Sequence, residues 1–267
     1  MVGGSTRVFA LLGKPVAHSL SPAMHNSAFR VLGLDAVYVA LEVDPGHVGE
    51  AMRLLARAGG GGNITVPHKA EAADAADLAS ERVTRLHACN TFWGEADRVA
   101  SENTDVDGVL DALERLEAPA TGWLVAGTGG GARAVVAAAA SRGAAVAARS
   151  REPSRRGSFE DWIRSQGVRI AEPVECEVLV NATPLGLKPG DHLPLALDEA
   201  PGAMVAFDMV YAPHETSWVR QMRQSGLRAA DGRTMLVAQG AAAFRKWFPA
   251  EDPPIEVMRA AVDSALR

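Results

Sequence analysis

A glycine-rich turn between a predicted strand and a predicted helix constrains this chain most. The apolar run Trp123–Ala126 is followed by the turn Gly127–Gly131 and by the alanine-rich stretch Ala132–Arg142, which is typical of a helix. In the pattern GxGxxA, glycines let the backbone approach a pyrophosphate, and free N–H groups at the helix N-terminus bind it. We predict a dinucleotide site; a turn that only packs against the sheet is the alternative.

Further apolar segments follow this turn along the chain. They are Ala144–Ala148, Val178–Asn181 and Val205–Asp208, and each has the length and composition of a buried strand. Together with the strand before the turn, the series predicts a doubly wound parallel sheet of the Rossmann-like kind.

The residues after the second strand of this sheet indicate which dinucleotide binds. That strand ends in Ala147-Ala148-Arg149-Ser150-Arg151, and the segment contains no Asp or Glu to accept from ribose hydroxyls. A guanidinium suits a 2′-phosphate, so Arg149 favours NADP over NAD. Arg151, Arg155 and Arg156 are less direct candidates for this contact with the phosphate. The alternative is that these arginines form a solvated surface turn and bind no cofactor.

A smaller α/β unit is predicted before the glycine turn. Its elements are a strand at 7–12, a helix from Ser21 with this serine as N-cap, a strand at 37–43, a helix at 45–58 and a strand at 63–66. The segment 117–122 is expected to join the two parts, and the chain from Met235 onward is predicted to be helical again.

Composition narrows the class of protein and its partners. The 267 residues carry a net charge of −5 without a long run of one sign, which gives no reason to expect nucleic acid or an anionic membrane as partner. Cys89 and Cys176 form no CxxC motif, and the N-terminus lacks the pattern of a signal peptide, so we expect a cytoplasmic protein. No metal-ligand motif is present, so no metal is expected.

Several polar residues of the first part are candidates for a substrate site. Ser19 and Ser21 lie on one predicted turn, and Asn63 and Thr65 alternate along a predicted strand that leads to Lys69. A lysine and an aspartate such as Lys69 and Asp105 can transfer a proton when they meet in a cleft. Taken singly, each of these residues has an alternative role as a helix cap or a surface charge.

The motifs of the chain, in order, resemble those of the shikimate dehydrogenase family. G-x-P-x-x-H-S-x-S-P-x-x-H-N is complete at 13–26, N-x-T-x-P-x-K at 63–69, A-x-N-T at 88–91 and N-T-D-x-x-G at 103–108. The glycine turn, N-A-T-P-L-G at 181–186, D-M-V-Y-A-P at 208–213 and the segment 232–241 follow. The similarity spans nearly the whole chain.

This resemblance implies a role for each matching position. Lys69 and Asp105 are the implied catalytic pair. The implied substrate contacts are these two residues together with Ser19, Ser21, Thr65, Asn90, Tyr211 and Gln239. The implied NADP(H) contacts are Gly127, Thr128, Gly129, Gly130, Gly131, Arg149, Ser150, Met209 and Gly232.

The resemblance also implies an α/β fold of two domains. Residues 1–106 with 235–267 are expected to form the substrate-binding and catalytic domain, to which the C-terminal helices return, and residues 107–234 the NADP-binding Rossmann-like domain. The implied reaction is the reversible reduction of 3-dehydroshikimate to shikimate by a monomer or homodimer. A quinate or aminoshikimate dehydrogenase and a non-catalytic ligand-binding protein on the same scaffold are the alternatives.

Four positions depart from the family's pattern. Ala148 replaces the asparagine of N-R-T after the second strand of the cofactor domain, and Gly131 replaces an alanine in the glycine turn. His87 and Cys89 replace the glycine and the valine around A-V-N-T, next to Asn90. We expect Ala148 to change contacts with the adenosine of the cofactor. We expect His87 and Cys89 to change the packing beside Asn90.

Overall fold

The computed structural model describes residues 2–188 and 190–267, which divide into two compact units. The first unit comprises Met1–Asp105 and Leu236–Arg267, and the second comprises Val106–Met235. The chain thus leaves the first unit, builds the second, and returns. Which unit binds substrate and which binds cofactor stays a prediction.

The first segment of the chain alternates strands and helices. In chain order it contains β1 (Arg7–Gly13), α1 (Ser21–Val31), β2 (Ala36–Glu42), α2 (Val48–Arg57), β3 (Gly61–Ile64), α3 (Lys69–Ala75), β4 (Leu78–Ala79), α4 (Glu81–Leu86), β5 (Thr91–Glu95), β6 (Arg98–Glu102) and α5 (Asp105–Arg115). The strands form one sheet in the order β2-β1-β3-β5-β6-β4. Strands β1, β2 and β3 are parallel, whereas β5 runs antiparallel to both β3 and β6.

The β5–β6 hairpin was not predicted. Its turn consists of Ala96 and Asp97, which adopt φ angles of 47° and 64°. Turns of this kind usually contain Asn-Gly or Asp-Gly, and the absence of a glycine removed the ordinary sequence signal. The hairpin matters because Thr91 begins β5 and Asn103 follows β6, so it presents two of the family's motifs.

Two local predictions in the first unit were wrong. Strand β3 covers Gly61–Ile64, not 63–66, because the chain turns after Ile64 and the N–H of His68 donates to the carbonyl of Thr65 at 3.0 Å. Ser21 is the first residue of α1 and Leu20 is its N-cap, so the Ser21 hydroxyl does not cap the helix.

The second unit contains the predicted doubly wound sheet. Its elements are β7 (Gly122–Ala126), α6 (Gly130–Arg142), β8 (Ala145–Arg149), α7 (Pro153–Ser165), β9 (Val178–Asn181), β10 (Val205–Asp208), α8 (Ser217–Gln224) and β11 (Arg228–Ala230). All neighbours are parallel, in the order β11-β10-β9-β7-β8, which confirms the fold class. Helix α6 begins at Gly130, two residues earlier than predicted, and so includes part of the glycine turn.

Two further helices end the chain, α9 (Arg233–Trp247) and α10 (Ile255–Ala265). Helix α9 is anchored to the first sheet by Trp247, whose ring centroid lies 4.9 Å from that of Phe9 and whose Nε1 donates to the carbonyl of Phe92 at 3.2 Å. Each such aromatic pair contributes about 1 kcal/mol beyond its buried area. This packing fixes the helix that carries Gln239. None of the described helices is long and apolar enough to cross a membrane.

Candidate active site

Lys69 and Asp105 form an ion pair within the first unit. Lys69 opens α3, Asp105 opens α5, and Nζ of the lysine donates to Oδ2 of the aspartate. The side chains are only 16% and 8% exposed, so the two charges are largely removed from water. Asp105 is the first residue of the eleven-residue helix α5, so its side chain lies at the N-terminus of that helix.

Asn90 holds the aspartate from the other side. Its Nδ2 donates to Oδ1 of Asp105 at 2.9 Å, and its Oδ1 accepts from the backbone N–H of Thr104 at 2.6 Å. Asn90 is itself 2% exposed. Both oxygens of the carboxylate are therefore occupied, which fixes its orientation beside Lys69.

A second layer of buried polar groups fixes Asn90. Nδ2 of Asn63 donates to the carbonyl of Asn90 at 3.1 Å and to Oγ1 of Thr91 at 3.0 Å, while the Tyr38 hydroxyl donates to Oδ1 of Asn63 at 2.8 Å. Sequence reasoning missed Tyr38 as a support of the site, whereas Thr91 appeared there only as a letter of the A-x-N-T motif. Tyr38 gave no signal because it lies in an apolar strand and reads as a core aromatic.

Hydrogen bonds also position three further substrate candidates of the first unit, Gln239, Ser19 and Ser21. Oε1 of Gln239 lies 3.5 Å from Nδ2 of Asn90, and Gln239 is held by its own Nε2, which donates to the carbonyl of Leu236 at 2.9 Å. Gln239 thus joins the cluster of Lys69, Asn90 and Asp105. On the turn before α1, Oγ of Ser19 accepts from the backbone N–H of Ser21 at 3.2 Å. Of the other two substrate candidates, Thr65 follows β3 and Tyr211 belongs to the second unit.

The glycine turn of the second unit has the form that a pyrophosphate requires. Gly127 adopts a φ of 109°, and a Cβ there would lie 2.8 Å from the carbonyl oxygen of Ala182. Gly129 is the N-cap of α6, with open space where a side chain would stand and with no capping side chain among the described residues. The first N–H groups of α6 are thus left to an anionic ligand, and the residues fit a dinucleotide.

Three other cofactor candidates lie together beside this turn. A Cβ added to Gly232 would come within 2.3 Å of the carbonyl oxygen of Met209, and one added to Gly131 would come within 3.1 Å of the Met209 Cε. The methionine side chain therefore packs over the start of α6.

Asp208 supports the segment that carries Met209. Its Oδ1 accepts from Nδ2 of Asn181 at 2.8 Å and from the N–H of Val210 at 3.0 Å, and its Oδ2 accepts from the Thr216 hydroxyl at 2.8 Å. Burial raises the pKa of Asp208 to about 6, although these hydrogen bonds act in the opposite direction. The sequence showed Asn181 and Asp208 only as motif letters, and their mutual contact was not predicted.

Arg149 ends β8, as expected, but an acid lies beside it. Its Nε is 2.7 Å from Oε2 of Glu199, a residue of the 3₁₀ turn Leu197–Glu199. The sequence segment after β8 contains no acid, but the fold brings the carboxylate of Glu199 to this strand end. Glu199 comes fifty residues after Arg149, so the residues next to the strand end could not indicate this contact.

The two departures next to Asn90 have different structural consequences. His87 is the C-cap of α4 with a φ of 46°, which explains the glycine that the family's pattern has there, and its Nε2 lies 2.8 Å from Oδ1 of Asp74. Cys89 is fully buried, its Sγ donates to the carbonyl of Thr91 at 3.4 Å, and burial raises the pKa of the thiol to about 12. Cys89 is therefore a packing residue without nucleophilic character.

Family models match both ends of the chain. Residues 11–92 match the shikimate dehydrogenase substrate-binding domain, and residues 232–262 match the shikimate 5′-dehydrogenase C-terminal domain. The first match contains Lys69 and Asn90, and the second contains Gly232 and Gln239.

Relatives and solved structures are similar over nearly the full length. A shikimate dehydrogenase (NADP(+)) of Geobacillus kaustophilus is 36% identical, over 98% of this chain and 99% of the relative, and one of Halorubrum lacusprofundi is 37% identical, over 97% and 99%. The crystal structure of shikimate 5-dehydrogenase from Thermus thermophilus in complex with NADP(H) and shikimate superposes with a TM-score of 0.87 at 35% identity, covering 99% of this chain and 100% of that one.

Proposed function

The chain belongs to the shikimate dehydrogenase family, and we propose that Lys69 and Asp105 are its catalytic pair. The protein is an NADP-dependent oxidoreductase that reversibly reduces 3-dehydroshikimate to shikimate, a step of aromatic amino acid biosynthesis. The observation that supports the catalytic assignment most is the buried contact between Nζ of Lys69 and Oδ2 of Asp105.

The role of Lys69 follows from the charge that develops during reduction. NADPH supplies a hydride to C3 of the substrate when it is bound, and the carbonyl oxygen at C3 then carries negative charge. The ammonium of Lys69 stabilises this oxygen and donates the proton that turns it into a hydroxyl. In the oxidative direction Lys69 accepts that proton.

Asp105 keeps the lysine in position for both directions. Its Oδ2 accepts from Lys69 and its Oδ1 from Asn90, so the ammonium cannot swing away without leaving a buried carboxylate unpaired. We propose that Asn90 and Gln239, which lie in the same cluster, contact the ring hydroxyls of the substrate. Thr65 and Tyr211 have the same proposed role, and Ser19 and Ser21 are proposed to bind the carboxylate.

The proposed cofactor contacts follow from the shape of the second unit. The open N-terminus of α6 accepts the pyrophosphate, and Gly127, Thr128, Gly129 and Gly130 bring the backbone close to it. Gly131, Met209 and Gly232 lie together beside this turn. Arg149 is the proposed donor to the 2′-phosphate, with Ser150 next to it.

The preference among related substrates is tested by a kinetic panel. Shikimate, quinate and 3-aminoshikimate are each oxidised with NADP+ and with NAD+, and kcat/KM is compared. We expect shikimate with NADP+ to have the highest value. A higher value for quinate or 3-aminoshikimate assigns the chain to that activity instead. Absence of turnover with retained ligand binding supports a non-catalytic protein on this scaffold.

Three properties of the whole protein stay predictions. A cytoplasmic location agrees with Cys89 and Cys176 being free thiols buried within the fold. A monomeric or homodimeric state and the absence of nucleic-acid partners are also expected, and light scattering of the purified protein measures the oligomeric state.

A further inference from the structure

The carboxylate beside Arg149 is held by its own turn. Glu199 is the last residue of the 3₁₀ turn Leu197–Glu199, and its Oε1 accepts from the backbone N–H of Ala196 at 3.1 Å. Its Oε2 lies 2.7 Å from Nε of Arg149. Because one oxygen is tied to the backbone and the other to the guanidinium, the charge of Glu199 stays fixed at the end of β8.

This fixed charge lies close to the position proposed for the 2′-phosphate. The side chain of Glu199 is 26% exposed and that of Arg149 is 52% exposed, so the pair is partly shielded from solvent while the guanidinium stays accessible. Any anion that binds the guanidinium therefore lies within several ångströms of the Glu199 carboxylate. Like charges at such a separation repel each other, and the repulsion is strongest for a dianionic phosphate.

We propose that Glu199 is a specificity-determining residue that weakens the preference of this protein for 2′-phosphorylated cofactors. The inference rests on the proposed binding of the 2′-phosphate by Arg149. Glu199 opposes the phosphate directly and partly neutralises the guanidinium that attracts it. NAD, which lacks the phosphate, does not experience this repulsion. A carboxylate at the ribose is also the group by which NAD-binding folds accept from the 2′-hydroxyl.

The chain contains a matched control for this residue. Glu175 is likewise the last residue of a three-residue 3₁₀ turn, accepts from the N-cap N–H of Glu172 at 3.1 Å, and pairs with Arg169 at 3.2 Å. It precedes β9 and so lies at the amino edge of the parallel sheet, whereas Arg149 lies at the carboxyl edge. Replacement of Glu175 changes the same kind of turn and ion pair far from the glycine turn.

The experiment is equilibrium binding to the full-length protein, measured by calorimetry. The ligands are adenosine 2′,5′-bisphosphate and NADP+, with 5′-AMP and NAD+ as counterparts that lack the 2′-phosphate. Glu199→Gln should bind the two 2′-phosphorylated ligands about threefold to tenfold more tightly at low salt, with no tightening of the counterparts. The gain should shrink as ionic strength rises from about 50 to about 500 mM. Glu175→Gln should match the wild type for all four ligands.

Two outcomes overturn the inference, and they differ from a failure of the assignment on which it rests. Unchanged or weaker binding of adenosine 2′,5′-bisphosphate by Glu199→Gln shows that the carboxylate does not repel the phosphate. If Glu199→Gln binds 5′-AMP more tightly by the same factor, the substitution acts on the adenosine site in general and not on the 2′-phosphate. Arg149→Ala, measured in parallel, must weaken only the 2′-phosphorylated ligands. If it weakens none, the proposed role of Arg149 is wrong, and the inference about Glu199 is wrong with it.

Discussion

Nδ2 of Asn90 donates a 2.9 Å hydrogen bond to Oδ1 of Asp105, the carboxylate whose other oxygen accepts from Lys69. Through this bond Asn90 controls the orientation of the proposed catalytic pair. The lysine, the aspartate and the asparagine therefore act as one unit, and substitution of any of them should affect proton transfer before it affects cofactor binding.

Lys69→Ala should lower kcat by about 10² to 10⁴, because the substrate oxygen loses its proton donor. The dissociation constant for NADPH should stay within about twofold of the wild type, since Lys69 belongs to the first unit and the glycine turn to the second. Steady-state kinetics and NADPH fluorescence titration measure the two quantities.

Lys14→Ala is the control for Lys69→Ala. Lys14 also pairs with an aspartate, Asp44, but the two side chains are 51% and 68% exposed, so loss of this pair should leave kcat unchanged. Near-native turnover of the Lys69→Ala protein would show that the proton comes from another group.

Arg149→Ala should raise KM for NADP+ more than KM for NAD+, because only the former carries the phosphate that the guanidinium binds. Initial rates at saturating shikimate give both constants. Arg169→Ala, which removes an arginine paired with Glu175 ahead of β9, should change neither. Equal increases for the two cofactors would contradict a specific contact with the 2′-phosphate.

The second unit could be predicted from the sequence because its parallel strands are continuous apolar runs. Strands such as Val178–Asn181 and Val205–Asp208 are buried along their whole length, so composition alone marks them. The β5–β6 hairpin could not be predicted, since its Ala96-Asp97 turn adopts positive φ angles without a glycine.

The candidate site was less accessible to local reasoning than the fold. Lys69 and Asp105 are 36 positions apart, and each alone is indistinguishable from a surface charge until the fold buries both. The family resemblance therefore carried their assignment. No resemblance or spacing indicated Glu199, because its contact with Arg149 depends on where a 3₁₀ turn from a distant segment packs.

Asp208 should make the stability of the protein depend on pH in the acidic range. Its pKa is about 6 in the folded protein and near 3.8 when exposed, so the folded state binds this proton more tightly. The resulting contribution to stability is fully present below about pH 4 and is lost as pH rises through about 6. It amounts to roughly 2 to 3 kcal/mol.

Asp208→Asn tests this contribution. The Asn carbonyl can still accept from Asn181 and Val210, and its amide can donate to the hydroxyl of Thr216, so the fold should be retained. Urea unfolding at pH 4 and pH 7 gives the free energy of unfolding of both proteins. The variant should gain stability relative to the wild type between pH 4 and pH 7, and parallel pH profiles would contradict a raised pKa.

At position 87, glycine should give a more stable protein than alanine. His87 has a φ of 46°, a conformation that costs a residue with a side chain about 1 to 2 kcal/mol. Both His87→Gly and His87→Ala remove the contact with Asp74, so their difference isolates the backbone term. We expect the glycine variant to exceed the alanine variant by about 1 kcal/mol in free energy of unfolding, measured by urea titration.

The same two substitutions at Arg85 should give the opposite result, with the alanine variant more stable than the glycine variant. Arg85 lies in the last turn of α4, two residues before His87, where glycine is less favourable than alanine by about 1 kcal/mol. If alanine were the more stable choice at both positions, the left-handed conformation at His87 would not be the reason for the glycine in the family's pattern. If glycine is favoured only at position 87, the backbone beside Asn90 carries that strain in this protein.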